Sequence, residues 1–273
     1  IHLLGQLYAS NLIQAELPPD AEGLFTRYRK RRGREIKSQL SNLLFIRIPL
    51  IDPDRFLERW VALFGLLFTV PSFILWLGLI GTGLYYVVTN AGQLGGGADT
   101  MLQPDKLIWL YLAMVIIKVI HEFGHGFACK KFGKRSGSGG EVHVMGVMFL
   151  VFMPLPYVDA SSAWAFRSKW RRAIVGAAGM YVELAVAAVA AVVWANTGPG
   201  PLHVICYNMM FIAGVSSLLF NGNPLLRYDG YYILSDLIEI PNLRIKAGQY
   251  VGFLFRKYLL GLQEEEPQAT PRE

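Results

Sequence analysis

Charge is what this chain has least of. Asp, Glu, Lys and Arg make up 17% of its 273 residues, where a soluble domain carries roughly 25%. With 53% hydrophobic residues and a mean hydropathy of +0.35, the balance excludes an ordinary soluble globule and indicates a membrane protein. Cysteine is scarce too. Only Cys129 and Cys206 occur, both inside apolar runs, which excludes a secreted disulfide framework. An initiator methionine and a signal-peptide pattern are also missing, so the chain reads as a fragment of something longer, and no internal repeat is visible.

What is present instead is apolar sequence in long blocks, and about 20 such residues cross a bilayer. Four blocks qualify as spans: residues 61–88, 107–129, 173–195 and 202–226. The first carries no charge, and its Pro71 is expected to kink the helix rather than break it. The second contains "HEFGH", and the third has Glu183 at its centre. Residues 142–158, "VHVMGVMFLVFMPLPYV", are too short for a crossing and end in Pro154 and Pro156, which suits a re-entrant or interfacial segment. The expected fold is an all-α polytopic membrane protein. It has four transmembrane helices, a re-entrant segment between the second and third, and a small cytoplasmic N-terminal region.

Basic residues set the orientation, because cytoplasmic flanks retain them. Residues 1–60, 130–172 and 227–273 hold 24 of the 26 Lys and Arg; Lys106 lies on the other side and Lys118 within the second span. Both termini are therefore expected to be cytoplasmic, with the "GGGADT" loop and the "NTGPG" turn facing outward. A net charge of +6 and the run "RYRKRRGREIK" at 27–37 could suggest nucleic acid. Topology and anionic membrane lipid explain that run, and no interleaving of aromatic and basic residues supports nucleic-acid binding. The organisation expected is a cytoplasmic region over 1–60, a membrane core over 61–232 and a cytoplasmic segment over 233–273.

In "HEFGH", His121 and His125 are four residues apart and share a helix face, with Glu122 beside the first. This is the H-E-x-x-H pattern: two imidazoles hold a metal ion, and the glutamate reaches a metal-bound water whose pKa the ion lowers. The alternative is that the three groups pair with one another or snorkel to the interface, with Lys118 as counter-ion. Depth opposes snorkelling, since His121 lies about 12 Å of helix from Cys129. Ionisable groups so placed are costly and usually functional. A catalytic zinc site normally has a third protein ligand. "FNGNPLLRYDGYY", at 220–232, offers Asp229, with Gly222 and Pro224 to end the helix and Gly230 to allow close approach. Taken alone, those residues are ordinary turn punctuation.

Together, "HEFGH" and "NGNPLLRYDG" resemble the two motifs of the site-2 protease family of intramembrane zinc metallopeptidases. The family's second motif reads N-x-x-P-x-P-x-L-D-G; Asn221, Pro224, Asp229 and Gly230 match it, while Leu226 and Tyr228 depart from it. The resemblance covers about residues 107–232. It implies that His121, His125 and Asp229 bind Zn2+, that Glu122 is the catalytic base and acid, and that Asn221 serves the oxyanion. "MPLPYVDA" and "NPLLRYDGYYILSDLIEIPNL" are similar to a bacterial branch linked to peptide maturation and to membrane-fusion export proteins. That likeness implies an integral protein of the bacterial inner membrane, a peptide or transmembrane-helix substrate, and a winged-helix-like remnant at the N-terminus.

One departure is that "AGMYVE" stands where the family commonly has A-G-P-x-x-N, so Met180 and Glu183 replace proline and asparagine. Glu183 either orients a ligand or contacts substrate, or is a buried carboxylate paired with Lys118; Asn223 and Lys118 are further candidates for substrate or ligand support. His143, His203 and Cys129 read as structural. The rival function is a non-catalytic membrane subunit of an export complex that keeps the zinc site as a structural staple. A metal transporter would need further acidic or histidine residues in the first span, which has none.

Overall fold

The computed structural model describes residues 45–94, 103–104, 106–137, 139–150, 153–240 and 242–261. Much of the expected N-terminal region, including the basic run, lies outside the described residues, as do the "GGGADT" loop and the tail from 262 onward. The chain divides into two compact units, Ile1–Arg47 with Phe149–Met153, and Ile48–Met148 with Pro154–Glu273. All the helices discussed below, and the candidate site, belong to the second.

The described chain is mostly helical but not all-α. Strands β1 (Phe45–Ile51), β2 (Met145–Leu150) and β3 (Met153–Val158) form one sheet in the order β1-β2-β3. Residues 142–158, expected as a re-entrant segment of a helical fold, thus contain two hydrogen-bonded strands. Pro154 and Pro156 are the physical reason. They would break a helix, whereas an edge strand tolerates residues without an N–H, and β3 is an edge.

The block expected to span from residue 61 also divides. Helix α1 (Asp54–Phe64) buries Leu57 and Val61 while Phe56 and Leu63 stay exposed. A 3₁₀ turn, Gly65–Phe68, and the extended Thr69 then separate it from α2 (Val70–Thr89). Thr69 and Ser72 hydroxyls both donate to the Leu66 carbonyl at 2.7 Å, and Lys131 Nζ donates to the Phe68 carbonyl at 2.8 Å. These donors satisfy the carbonyls freed by the break. Pro71 lies in the first turn of α2, where its missing N–H leaves no bond unmade, so it starts this helix instead of kinking it.

Three further long helices follow: α3 (Leu107–Ser136), α4 (Lys169–Asn196) and α5 (Pro201–Val215), the last continued by a π turn over Ser216–Asn221. With α2, these make four helices among the described residues long and apolar enough to cross a membrane. Burial ranks them: 44% of the apolar window of α4 is covered by protein, against 6% for α2. Small side chains put α4 in the middle, since Ala178, Ala187, Ala188, Ala190 and Ala191 let neighbouring backbones approach closely. By contrast α2 exposes Ile74, Leu75, Leu84 and Val88, a surface suited to hydrocarbon. Short helices α6 (Asp229–Ile238) and α7 (Leu243–Leu254) follow, and a π turn over Phe255–Leu259 comes after α7 near the end of the described chain.

Asp54 ties α1 to α3 and to the approach to β2. Its carboxylate accepts from the buried Lys130 Nζ at 2.7 Å and from the Val142 N–H at 2.9 Å. Burial opposes its ionisation, but the Lys130 and Val142 bonds prevail and hold the carboxyl below its ordinary value. A lowered folded-state value contributes stability above the unfolded pKa and loses it as pH falls through the folded one. Asp54→Ala leaves Lys130 buried without its main partner and is expected to cost about 3 kcal/mol. Thermal unfolding in detergent should show a lower melting temperature at neutral pH and a shrinking difference in acid; equal melting at neutral pH would remove this tie from the fold.

Candidate metal centre

An imidazole has two ring nitrogens, and at both histidines of α3 one of them is committed to α4. His121 Nδ1 lies 2.7 Å from Glu183 Oε2, and His125 Nδ1 lies 2.7 Å from the Val175 carbonyl. A carbonyl can only accept, so Nδ1 of His125 carries the proton; the carboxylate assigns the same tautomer to His121. Both Nε2 lone pairs are then bare, and the helical spacing brings them within 3.1 Å of each other. Two facing lone pairs repel, and a cation between them turns that repulsion into attraction.

Asp229 closes the third side. After the π turn, Gly222 and Pro224 end α5, and the chain re-enters a helix with Asp229 as its first residue. Gly230 makes that re-entry possible: a Cβ there would stand 2.7 Å from the Gly222 carbonyl oxygen and 2.8 Å from that of Asn221. Asp229 Oδ2 sits 3.1 Å from His121 Nε2, and Oδ1 sits 3.5 Å from His125 Nε2. Tetrahedral zinc with bonds near 2.05 Å would separate its ligand atoms by about 3.3 Å, so these edges fit one ion. Asp229 Oδ2 is also buried with no hydrogen-bond partner. An orphaned buried carboxylate oxygen is costly unless something cationic meets it.

His121, His125 and Asp229 form the group of potential ligands among the described residues, and it can hold a metal ion. Space for the ion comes from α4. At Gly179 an added Cβ would stand 2.5 Å from His121 Nε2 and closer still to His125 Nε2, so a side chain there would collide with both ligand nitrogens.

Glu183, wholly buried, joins the two alternatives that its sequence position left open. Besides holding His121, it accepts from Lys118 Nζ at 3.1 Å, and the Asn221 amide donates to it at 3.3 Å. Lys118 also contacts the Ser216 hydroxyl. The π turn presents Ser216 and Asn221 to this network, a local widening often found where a helix carries function. Asn221, expected at the oxyanion, thus gives its amide to Glu183 here. Glu122 accepts the Val158 N–H of β3 through Oε2 at 2.8 Å.

The remaining candidates stand apart from the three ligands. Asn223 Oδ1 accepts the Leu225 N–H at 2.9 Å within its own turn. Cys129 Sγ lies 3.3 Å from the Ser162 hydroxyl, His143 Nδ1 lies 3.0 Å from Asp52, and His203 Nδ1 meets the Thr197 carbonyl at 3.1 Å. Sequence reasoning missed the Val175 carbonyl and the role of Gly179. The first carries no side-chain signal, while the second was visible only as one glycine of "AGMYVE".

No family model, curated protein or solved structure matches the chain. Its residues therefore carry the functional argument alone.

Two substitutions test the centre. Gly179→Ala should abolish metal retention while the helical circular dichroism stays native; a full complement of metal would show that the space beside the imidazoles is not where an ion sits. Glu183→Gln should weaken metal affinity about 10- to 100-fold, the usual effect of removing a group that orients a ligand. Unchanged affinity would make Glu183 merely a partner for Lys118.

Proposed function

We propose that this chain is an intramembrane zinc metallopeptidase of the site-2 protease type, cleaving a peptide delivered within or at the membrane. The observation that carries the reading is the triangle of His121 Nε2, His125 Nε2 and an orphaned Asp229 oxygen, with Glu122 adjoining the first ligand in the chain. Two imidazoles and one carboxylate suit zinc better than magnesium or calcium, which prefer oxygen alone. When bound, zinc supplies the Lewis acidity that polarises an amide carbonyl and brings a water's pKa toward neutrality.

The chain's own groups do the rest. Glu122 takes the proton of the attacking water and later delivers it to the leaving amine nitrogen. Its bond to the Val158 N–H engages one oxygen, which fixes the carboxylate's position and leaves the other for proton transfer. Glu183 and Val175 keep both Nδ1 atoms protonated and the rings aimed. A substrate helix shields its amides in its own hydrogen bonds, so it must be extended before cleavage. The β3 edge suits that task, because an extended peptide can add to it as a strand beside the Glu122 carboxylate. An apolar cavity of about 660 Å3, lined by Phe68, Trp76, Phe123, Phe127 and Tyr181 among others, offers room for apolar side chains next to Glu122's neighbour Phe123.

The Lys and Arg distribution supports a site facing the cytoplasm and both termini on that side, as in a bacterial inner-membrane protein. Glu122→Gln in the full chain should retain zinc and lose cleavage by about 100- to 10,000-fold, while Asp229→Ala should lose zinc and cleavage together. A Glu122→Gln protein that cleaves normally would refute the role of base. One that supports normal peptide export without cleavage would favour a structural zinc in a non-catalytic subunit.

A further inference from the structure

Helix α1 carries more exposed apolar surface than a helix beside water should. Of its 11 residues, Phe56, Trp60, Leu63 and Phe64 are large, apolar and each 38% to 55% exposed, at the spacing that sets them along one side of a helix. A different side holds α1 in the fold. Leu57 and Val61 are buried, with Leu57 resting on Gly126 of α3. The helix's carboxylates turn to α3 as well, Asp54 to Lys130 at 2.7 Å and Glu58 to Lys134 at 3.1 Å.

What covers the apolar stripe follows from what it adjoins. In the 3₁₀ turn Leu66 and Leu67 are exposed, and Val70, Phe73 and Ile74 carry the same apolar surface onto α2, whose outer side suits hydrocarbon. Charge fixes the depth. Arg55 and Arg59, one turn apart, are both exposed beside the stripe. A guanidinium is costly among acyl chains but binds a phosphate through paired hydrogen bonds. An apolar stripe bordered by arginine is the pattern of a helix lying in the membrane interface. We propose that α1 is an in-plane anchor: Phe56, Trp60, Leu63 and Phe64 enter the acyl layer, and Arg55 and Arg59 bind the phosphates of anionic phospholipids.

This anchor bears on the helix of the metal centre. Phe56 meets the ring of Phe123, next to Glu122, edge-on at 5.7 Å, and Phe64 stacks on Phe127, two residues past His125, at 4.7 Å. A bilayer that seats α1 thus steadies the stretch of α3 that carries both imidazoles. The lipid contacts themselves stand independently of the peptidase reading.

Both native cysteines are buried, so a nitroxide can be placed at Leu63→Cys in the full chain, held in nanodiscs of phosphatidylcholine and phosphatidylglycerol. Oxygen should relax the label strongly and a water-soluble nickel chelate should not, which puts residue 63 below the headgroups. Native mass spectrometry should show phosphatidylglycerol retained in preference to phosphatidylcholine. Arg55→Gln combined with Arg59→Gln should weaken that retention about thirtyfold while the helical circular dichroism stays native. Free access of nickel to residue 63, equal retention of the two lipids, or undiminished retention of phosphatidylglycerol by the double variant would overturn the proposal. So would shielding of the label from both reagents, which would assign the stripe to a second copy of the chain.

Discussion

Each imidazole on α3 leans on α4 through Nδ1, and this anchoring is what the rest of the centre depends on. With Glu183 and the Val175 carbonyl as acceptors at 2.7 Å, neither ring can turn without losing a buried hydrogen bond, and both Nε2 atoms must face the same point. Asp229 closes the third side, with Gly179 leaving room beside both Nε2 atoms and Gly230 letting the chain pass close to the Gly222 and Asn221 carbonyls. A buried polar network of this kind is worth having only when every member is satisfied. Among its carboxylates, the Oδ2 atom of Asp229 is the exception, and a metal ion held there would remove it.

The same helix that anchors the rings also organises the fold. Alanines along α4 let α3 and α5 approach closely, so Lys118 and His121 of α3 and Asn221 of the π turn after α5 all reach one α4 carboxylate, Glu183. Lys118 neutralises that carboxylate from α3 and Asn221 supports it from the π turn. A charged pair in an apolar layer is expensive in isolation. Here it fixes the His121 ring, one of the three groups that could hold a metal ion, which gives the expense a purpose that packing alone would not.

Much of this was readable from the chain. Four helices long and apolar enough to cross a membrane followed from length and hydropathy, and "HEFGH" placed two histidines on one face from periodicity alone. The partners of those histidines were not readable, because a main-chain carbonyl such as that of Val175 has no residue signature and depends on how α4 is rotated. The first span was drawn too long for a related reason. Apolar composition continues unbroken through Gly65–Thr69, and the break rests on a carbonyl-capping lysine from α3 that lies 66 residues from Gly65 in sequence. The strands were missed because an uncharged run with two prolines fits both an interfacial helix and an edge strand. Only pairing with β1 decides between them. Glu183 was legible as an anomaly, but its service to both His121 and Lys118 required the packing of α3 against α4.

X-ray absorption at the zinc edge of the purified, zinc-loaded chain addresses the metal centre without relying on any substrate. The arrangement of His121, His125 and Asp229 predicts one zinc per chain in a low-coordinate shell of nitrogen and oxygen, with the outer-shell scattering of two imidazoles. A shell containing sulfur, a shell of oxygen alone, or failure to bind zinc at all would contradict it.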